Sequence, residues 1–309
     1  MKTTKVAIIV AFCSFMLMPG CTKFEERDLK KQDLVSRLKD RMKTRDLLTT
    51  HALVNHYDQI GKDVLEFRKN IHRKGGPSYP IASIKRAPIR THAAGIFSFV
   101  TSSDEPTLGI QDPKALASIL SEMEGIHREN GTAFDASLAE RINEKMNDYP
   151  RDFMNDTGMY SKILDIDGVT DSQKEVLEIL IDQISTARDV KELKAINTTV
   201  EYEVINSDLP ESDKGLILSV NSIFNHNIQS PSGTLADFSS GEPLFQKTAV
   251  VLAVVWIFLQ PVLVGAVVGG AIAAVDCCLL MNSCNWDCIS QGVYLGAQLG
   301  LFSSTPNID

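Results

Sequence analysis

Residues 261–273, Pro-Val-Leu-Val-Gly-Ala-Val-Val-Gly-Gly-Ala-Ile-Ala, carry a small side chain at every fourth position, and residues 292–300 repeat this spacing. The two rows of small residues are Gly265, Gly269 and Ala273 in the first stretch, and Gly292, Gly296 and Gly300 in the second. Because residues four apart share one face of an α-helix, each row forms a groove that lets another backbone approach closely. The pattern predicts a helical hairpin packed glycine face to glycine face.

The surroundings of these rows are almost free of charge. Residues 248–275 are 28 residues without a charged side chain. The charged residues of the last 62 positions are Asp276, Asp287 and Asp309. A continuous helix of this kind would be about 42 Å long, more than a bilayer core requires, but Pro261 is expected to interrupt it. We predict that 248–309 is an apolar hairpin that associates with a membrane. The alternative is that it forms the core of a soluble helical binding module.

Four of the six cysteines lie between the two predicted helices of the hairpin, at Cys277, Cys278, Cys284 and Cys288. In an exported protein such cysteines are expected to form disulfides, and four cysteines allow three pairings. A bond between the adjacent Cys277 and Cys278 would be strained, so each is expected to pair with Cys284 or Cys288. A four-thiolate zinc site is the alternative, although the spacing lacks paired CxxC units.

Composition and apolar spacing divide the rest of the chain. Residues 229–247 are rich in Ser, Gly and Pro and are expected to form a linker. Residues 113–228 show repeated apolar stripes at helical spacing, which predicts an acidic helical domain. Residues 75–112 have no sustained period and are expected to be an irregular linker, whereas 21–74 is predicted to be a long amphipathic helix region. The predicted fold class is therefore mainly α, with a helical body, a long N-terminal helix and the C-terminal glycine-zipper hairpin.

Helix ends in the body are marked by capping residues. Asp112 precedes Pro113, the combination expected at a helix start, and Gly131 follows Asn130 as a helix stop. Thr170 and Gln173 have the spacing of a capping box.

The first 21 residues have the features of an export signal. Lys2 and Lys5 precede a 12-residue apolar run, which is too short to span a bilayer of about 30 Å. The sequence then reads Leu-Met-Pro-Gly-Cys, which resembles a bacterial lipobox, with Cys21 as the residue that is lipidated (palmitate) and becomes the mature N-terminus. We predict a signal peptide over 1–20. An ordinary cleaved signal or an uncleaved anchor is the alternative.

Together, this leader and the helical body resemble uncharacterised helical lipoproteins of Bacteroidota with a glycine-zipper C-terminal segment. Thr22 directly after Cys21 resembles the residue found in lipoproteins of the outer membrane. The resemblance implies a lipid-anchored location in the cell envelope and no particular activity.

The sequence contains no recognisable catalytic or metal-binding motif. The six histidines are scattered, and a P-loop, a dinucleotide fingerprint and a nucleophile-elbow serine are all missing. Asp165 to Gly168 is similar to the start of a calcium loop, but Val176 stands where that loop needs its last acidic ligand. We therefore predict no catalytic residue, no metal site and no cofactor. The net charge of -8 argues against nucleic acid as a partner.

These features favour a non-enzymatic, lipid-anchored envelope protein with a structural or interaction role. The predicted partner is a lipid bilayer, with self-association through the hairpin as a further expectation. One alternative is a secreted, bacteriocin-like antagonist that permeabilises membranes with the hairpin. Another is the soluble binding module in which the hairpin is core.

Overall fold

The computed structural model describes residues 34–73, 107–150, 162–229, 261–277 and 286–303. The fold is mainly α, as predicted. Within these ranges there is no β-strand, and one isolated backbone bridge joins Thr107 to Pro150.

Several predicted features lie outside the described residues. They are the signal peptide 1–20, the lipidation site Cys21, the linker after Gln229, and the tail cysteines Cys278 and Cys284.

Residues 162–164 are helical and carry no label, and the other helices of the described part are numbered here in chain order. They are α1 (34–44), α2 (Asp58–Arg73), α3 (Pro113–Asn130), α4 (Ala136–Met146), α5 (Asp171–Ser185), α6 (Val190–Ile205), α7 (Glu211–Gln229), α8 (261–277) and α9 (Trp286–Ser303). We call α8 and α9 together the hairpin.

The predicted helix ends of the body are present. The Asp112 side chain accepts a hydrogen bond from the backbone N–H of Lys114 at 2.9 Å, and Gly131 ends α3 in the left-handed conformation with φ 66°. Thr170 and Gln173 make both hydrogen bonds of a capping box at the start of α5. These ends were predictable because each depends on residues within one turn of it.

The predicted continuous helix in 21–74 is wrong in its middle. In the described part, α1 ends at residue 44, and residues 45–57 are non-helical before α2 begins at Asp58. Arg45 adopts a left-handed φ of 55°, and the Asn55 side chain accepts a hydrogen bond from the N–H of Tyr57 at 2.9 Å. These two turns redirect the chain. Leu53 therefore lies in the non-helical stretch and does not extend the apolar face of α2.

Residues 34–57 are attached to α6 by charged and polar contacts. The Glu203 carboxylate, whose side chain is 4% exposed, accepts hydrogen bonds from Arg37 at 2.9 Å and from Arg41 at 2.7 Å. Further along, the N–H of Leu48 donates to the Thr199 hydroxyl at 2.8 Å. Two guanidinium groups on one buried carboxylate balance its desolvation, so α1 has a defined position on the body.

The helices of the body surround the hairpin. α2 and α7 pack extensively on each other, and a Cβ added to Gly61 would collide with the backbone of Ser222, which shows how closely these two helices approach. α7 also packs on α5 and α6, while α9 packs on α2, α4 and α7.

The hairpin lies in the same hydrophobic core as the acidic helices. Residues 261–271 of α8 are all buried, and so are residues 295–303 of α9. Apolar residues of α3 to α7 belong to one continuous cluster with those of the hairpin. The described parts of the predicted domains 113–228 and 248–309 are therefore packed together, with the apolar tail inside. Within the described ranges, no helix combines the length and the apolar character that crossing a membrane needs.

Candidate functional site: the covered hairpin

The two glycine rows meet backbone to backbone. A Cβ added to Gly265 would collide with the carbonyl oxygen of Gly296, and one added to Gly269 would collide with that of Gly292. The same substitution at Gly300 would meet the carbonyl of Pro261. Since the next backbone occupies the position of a side chain, only hydrogen fits at these sites.

The order of these contacts gives the register of the hairpin. Moving along α8 by four residues moves the contact along α9 by four residues in the opposite direction, from Pro261–Gly300 to the third pair, Gly269–Gly292. The helices are therefore antiparallel, and every predicted glycine of the two rows faces the other helix. One contact was not part of the predicted pattern. At the end of the row in α9, Gly300 faces the backbone of Pro261, which is not one of the small residues of α8.

This arrangement uses both glycine faces within one chain. Gly269 and Gly296 approach so closely that a Cβ on either would lie 3.2 Å from the other's Cα. A second copy of the chain therefore has no access to these faces while the hairpin is packed in this way.

A disulfide closes the turn end of the hairpin. Cys277 at the end of α8 is bonded to Cys288 in the first turn of α9, with the Cα atoms 6.5 Å apart. This is one of the pairings that the sequence left open. Covalent closure of the short loop reduces the freedom of the unfolded chain and keeps the two helix ends together.

Trp286 anchors the start of α9 to the body. Its ring lies edge-on to Tyr57, the residue before α2, with centroids 4.5 Å apart, and it occupies the space beside Gly215 of α7, where a Cβ would collide with the ring. The indole therefore links the start of α9 to α7 and to the residue that precedes α2.

The opposite side of α9 is covered by aromatic and polar side chains. Tyr294 and Gln298 lie two positions beyond glycines of the row, which places them about 200° around the helix from it. Tyr294 packs edge-on to Phe67 of α2, with centroids 6.4 Å apart. Burial, and to a lesser degree the nearby charge of Asp63, raises the pKa of Tyr294 to about 12, so its hydroxyl stays neutral at physiological pH.

His127 of α3 is buried against the same side of α9. Its Nε2 lies 3.1 Å from Oε1 of Gln298, its Nδ1 lies 2.8 Å from the Thr132 hydroxyl, and its side chain stacks edge-on with Tyr294. Both ring nitrogens therefore have hydrogen-bond partners in a site where His127 is 2% exposed. The histidine therefore connects α3 to the hairpin.

A further cluster, which sequence reasoning missed, joins α2 to α7. The Asp58 carboxylate lies 2.7 Å from Nε2 of His226, 2.8 Å from Nζ of Lys62 and 3.2 Å from the hydroxyl of Ser222. The residue types resemble a Ser-His-Asp triad, but the Ser222 hydroxyl donates to Asp58, including its backbone carbonyl at 3.1 Å. Because the imidazole does not accept the hydroxyl proton, the cluster stabilises the start of α2 and does not activate a nucleophile.

Residues 165–168, which are similar to the start of a calcium loop, also pack on the hairpin. Gly168 has φ 96°, and a Cβ on it would collide with the carbonyl of Ala271 on α8. Asp165 is paired with Lys174. The turn therefore supports the hairpin, which is consistent with a helix-linking role. Among the described residues, no three His, Cys, Asp or Glu side chains are grouped so that they could hold a metal ion.

Comparison with known proteins gives no further guidance. No family model, curated protein or solved structure matches this chain.

The glycine contact predicts a large difference between two Gly→Ala substitutions. Gly296→Ala should lower the free energy of unfolding by about 3 kcal/mol, because the helices must separate to admit a methyl group. Gly125→Ala is the matched control: it lies in α3 with no atom within 4 Å of the added Cβ, so it should stabilise the protein by about 0.5–1 kcal/mol. Urea unfolding of both variants measures this, and equal effects would contradict the contact.

The Asp58 cluster predicts a loss of stability in acid. Burial acts to raise the pKa of Asp58, but the hydrogen bonds from Lys62 and His226 outweigh it, so the pKa lies below its ordinary value. Such a carboxylate stabilises the fold above its ordinary pKa of about 4 and loses this contribution as the pH falls through the folded-state pKa. The Asp58 side chain is 32% exposed, which keeps the effect small.

We therefore expect Asp58→Asn to lower the free energy of unfolding by about 1 kcal/mol at about pH 6 and to have almost no effect near pH 2. Urea titrations of both proteins at the two pH values provide the measurement. An equal loss of unfolding free energy at the two pH values would contradict a contribution from the charge of the Asp58 carboxylate.

Proposed function

We propose that this chain is an exported, lipid-anchored protein of the cell envelope, with a non-enzymatic, structural or interaction role centred on the hairpin. The observation that carries the proposal is the packing of two nearly uncharged, glycine-paired helices beneath the amphipathic helices α2, α4 and α7. The proposed partner of the hairpin is a lipid bilayer, with the outer membrane as the proposed location.

The leader and the disulfide support export. Residues 1–21 combine a basic start, an apolar run and a lipobox-like end at Cys21. The Cys277–Cys288 disulfide is a bond typical of oxidising compartments outside the cytoplasm. Both features agree with a protein that is lipidated and held at an envelope membrane.

The chemistry of the hairpin supports association with lipid. Apart from Asp276 and Asp287, its described helices carry no charged side chain. The body supplies α9 with an apolar environment, and the acyl region of a bilayer supplies an environment of the same kind. Helices of 17 and 18 residues are about 26–27 Å long, so we propose that they lie partly within one face of the bilayer.

The described surface has few exposed apolar side chains that could contact lipid in place of the hairpin. Val54, with 69% exposure, is the large hydrophobic residue that is exposed among the described residues. Among the described parts of the chain, we therefore propose the tail as the source of an apolar contact with lipid.

A second candidate function is a helical binding module in which the hairpin is permanent core. The complete burial of residues 261–271 favours it. The two candidate functions differ in whether the tail contacts lipid. The fluorescence emission of the tryptophans can report such contact.

The anchor is tested by metabolic labelling with a fatty-acid probe. The full chain expressed in a Gram-negative host should take up the label, and Cys21→Ala should remove it because the thiol that carries the lipid is gone. An unlabelled wild-type chain, or label that survives in Cys21→Ala, would contradict a lipid anchor.

The hairpin is tested with the Cys21→Ala chain and vesicles that contain brominated lipids. Both tryptophans of the chain, Trp256 and Trp286, lie in the tail, so brominated lipid should quench their emission if the tail contacts the bilayer. Val54→Ser is the matched control and should leave quenching unchanged. Unquenched emission from protein that has bound to vesicles would favour the permanent-core module, and loss of binding in Val54→Ser would contradict association through the hairpin.

A further inference from the structure

Two asparagine side chains are buried where α6 and α7 pack on each other. Asn197 of α6 is 1% exposed, and Asn221 of α7 is 0% exposed. Burying an amide costs free energy unless its N–H groups and its oxygen have hydrogen-bond partners. The partners of these two side chains therefore show what the contact between the helices has to bind.

The nitrogen of each amide donates to a backbone carbonyl. Nδ2 of Asn197 donates to the carbonyl of Leu193, one turn earlier in α6, at 3.1 Å. Nδ2 of Asn221 donates across the contact to the carbonyl of Asn197 at 3.2 Å. These bonds fix the orientation of both amides, because a flipped amide would place its oxygen against a carbonyl oxygen, and two acceptors repel each other.

The oxygen of each amide is a buried acceptor that still needs a donor. Among the described residues, no donor reaches Oδ1 of Asn197 or Oδ1 of Asn221. An unpaired buried acceptor destabilises a fold, and the two oxygens cannot pair with each other because both are acceptors. Whatever binds between them must therefore donate hydrogen bonds.

A third asparagine shows how such an oxygen is paired elsewhere in this fold. Asn227 of α7 makes the same kind of bond as Asn197, since its Nδ2 donates to the carbonyl of Ile223, one turn earlier, at 2.8 Å. Its Oδ1 accepts a hydrogen bond from the Arg68 guanidinium at 3.1 Å. A side chain supplies the donor there, whereas the oxygens of Asn197 and Asn221 need a donor from another source.

Burial and chemistry indicate that this donor is a water molecule. The hydroxyl of Thr199, two positions after Asn197, already donates its one proton to the carbonyl of Ala195 at 2.7 Å. A metal cation would need about six oxygen ligands, far more than two amides supply. A water has two O–H donors, one for each oxygen, and proteins hold roughly one buried water per 27 residues.

We infer that one water molecule is bound between α6 and α7, where it donates one hydrogen bond to Oδ1 of Asn197 and one to Oδ1 of Asn221. The two side chains already meet through the bond from Asn221 to the backbone of Asn197, so their oxygens belong to the same contact. The water completes the hydrogen bonding of both amides and ties α6 to α7 at one register. This site is independent of the role proposed for the hairpin.

Cross-relaxation between water and protein protons, measured by NMR on the full Cys21→Ala chain with isotope-labelled asparagine, tests the site. The side-chain amide protons of Asn197 and Asn221 should both show cross-peaks to water, with the sign of a tightly held water rather than of proton exchange. Asn143 is the control within the same protein. It is 3% exposed, but its Oδ1 and Nδ2 are both paired with the backbone of Ile110, so it should show no such cross-peak.

The other outcomes of this measurement overturn the inference. Cross-peaks at only one of the two asparagines, or at neither, would show that no water lies between them. Cross-peaks of equal strength at Asn143 would show that water reaches buried amides in general and that the two oxygens do not select it.

Two substitutions of similar size test whether the water is shared. Asn197→Leu should remove the water cross-peak of Asn221, and Asn221→Leu should remove that of Asn197, because the water loses one of its two acceptors. Asn206→Leu is the matched control: Asn206 is exposed at the end of α6, so both cross-peaks should remain. A cross-peak at Asn221 that survives in folded Asn197→Leu would show separate waters and overturn the shared site.

A count of held waters gives a second readout. Magnetic relaxation dispersion of the solvent reports how many waters a protein holds for long times. The double variant Asn197→Leu/Asn221→Leu should hold one such water fewer than the parent chain, and Asn206→Leu should hold the same number. An equal number in the folded double variant would overturn the inference, and if the double variant does not fold, the cross-peaks of the parent chain decide.

Discussion

The approach of two backbones at the glycine rows is the constraint on which the rest of the structure depends. At Gly265, Gly269 and their partners, the neighbouring carbonyl occupies the place of a side chain. The hairpin is therefore thin, and other side chains of α9, such as Tyr294 and Phe302, pack on other helices. Those side chains need a cover, which α2, α4 and α7 provide in this structure. Dispersion between closely packed helices adds to the apolar burial that holds the assembly together.

Local patterns predicted much of the fold. The glycine rows, the cap at Asp112 and the capping box at Thr170 are determined within one or two helical turns, and each is present. The position of the hairpin inside the body was harder to predict. An uncharged helix with a small-residue face has the same sequence whether its outer side contacts lipid or protein, because both surroundings are apolar.

Features that depend on contacts between distant residues could not be predicted from local sequence patterns. The break between α1 and α2 depends on Arg45 and Asn55, residues that also occur within helices, and on contacts with α6. The Asp58–Ser222–His226 cluster joins residues more than 160 positions apart. The backbone hydrogen bond between Leu108 and Tyr149 likewise joins two residues that no local spacing brings together.

The central claim is that the glycine rows of α8 and α9 face each other at backbone contact within the folded chain. Nuclear Overhauser effects between the Hα protons of Gly269 and Gly296, measured on full-length protein with selectively labelled glycine, test it most directly. The structure predicts a strong cross-peak, because the hydrogen on each Cα points at the other Cα. Absence of this cross-peak in folded protein whose Gly269 and Gly296 resonances are both assigned would contradict the account.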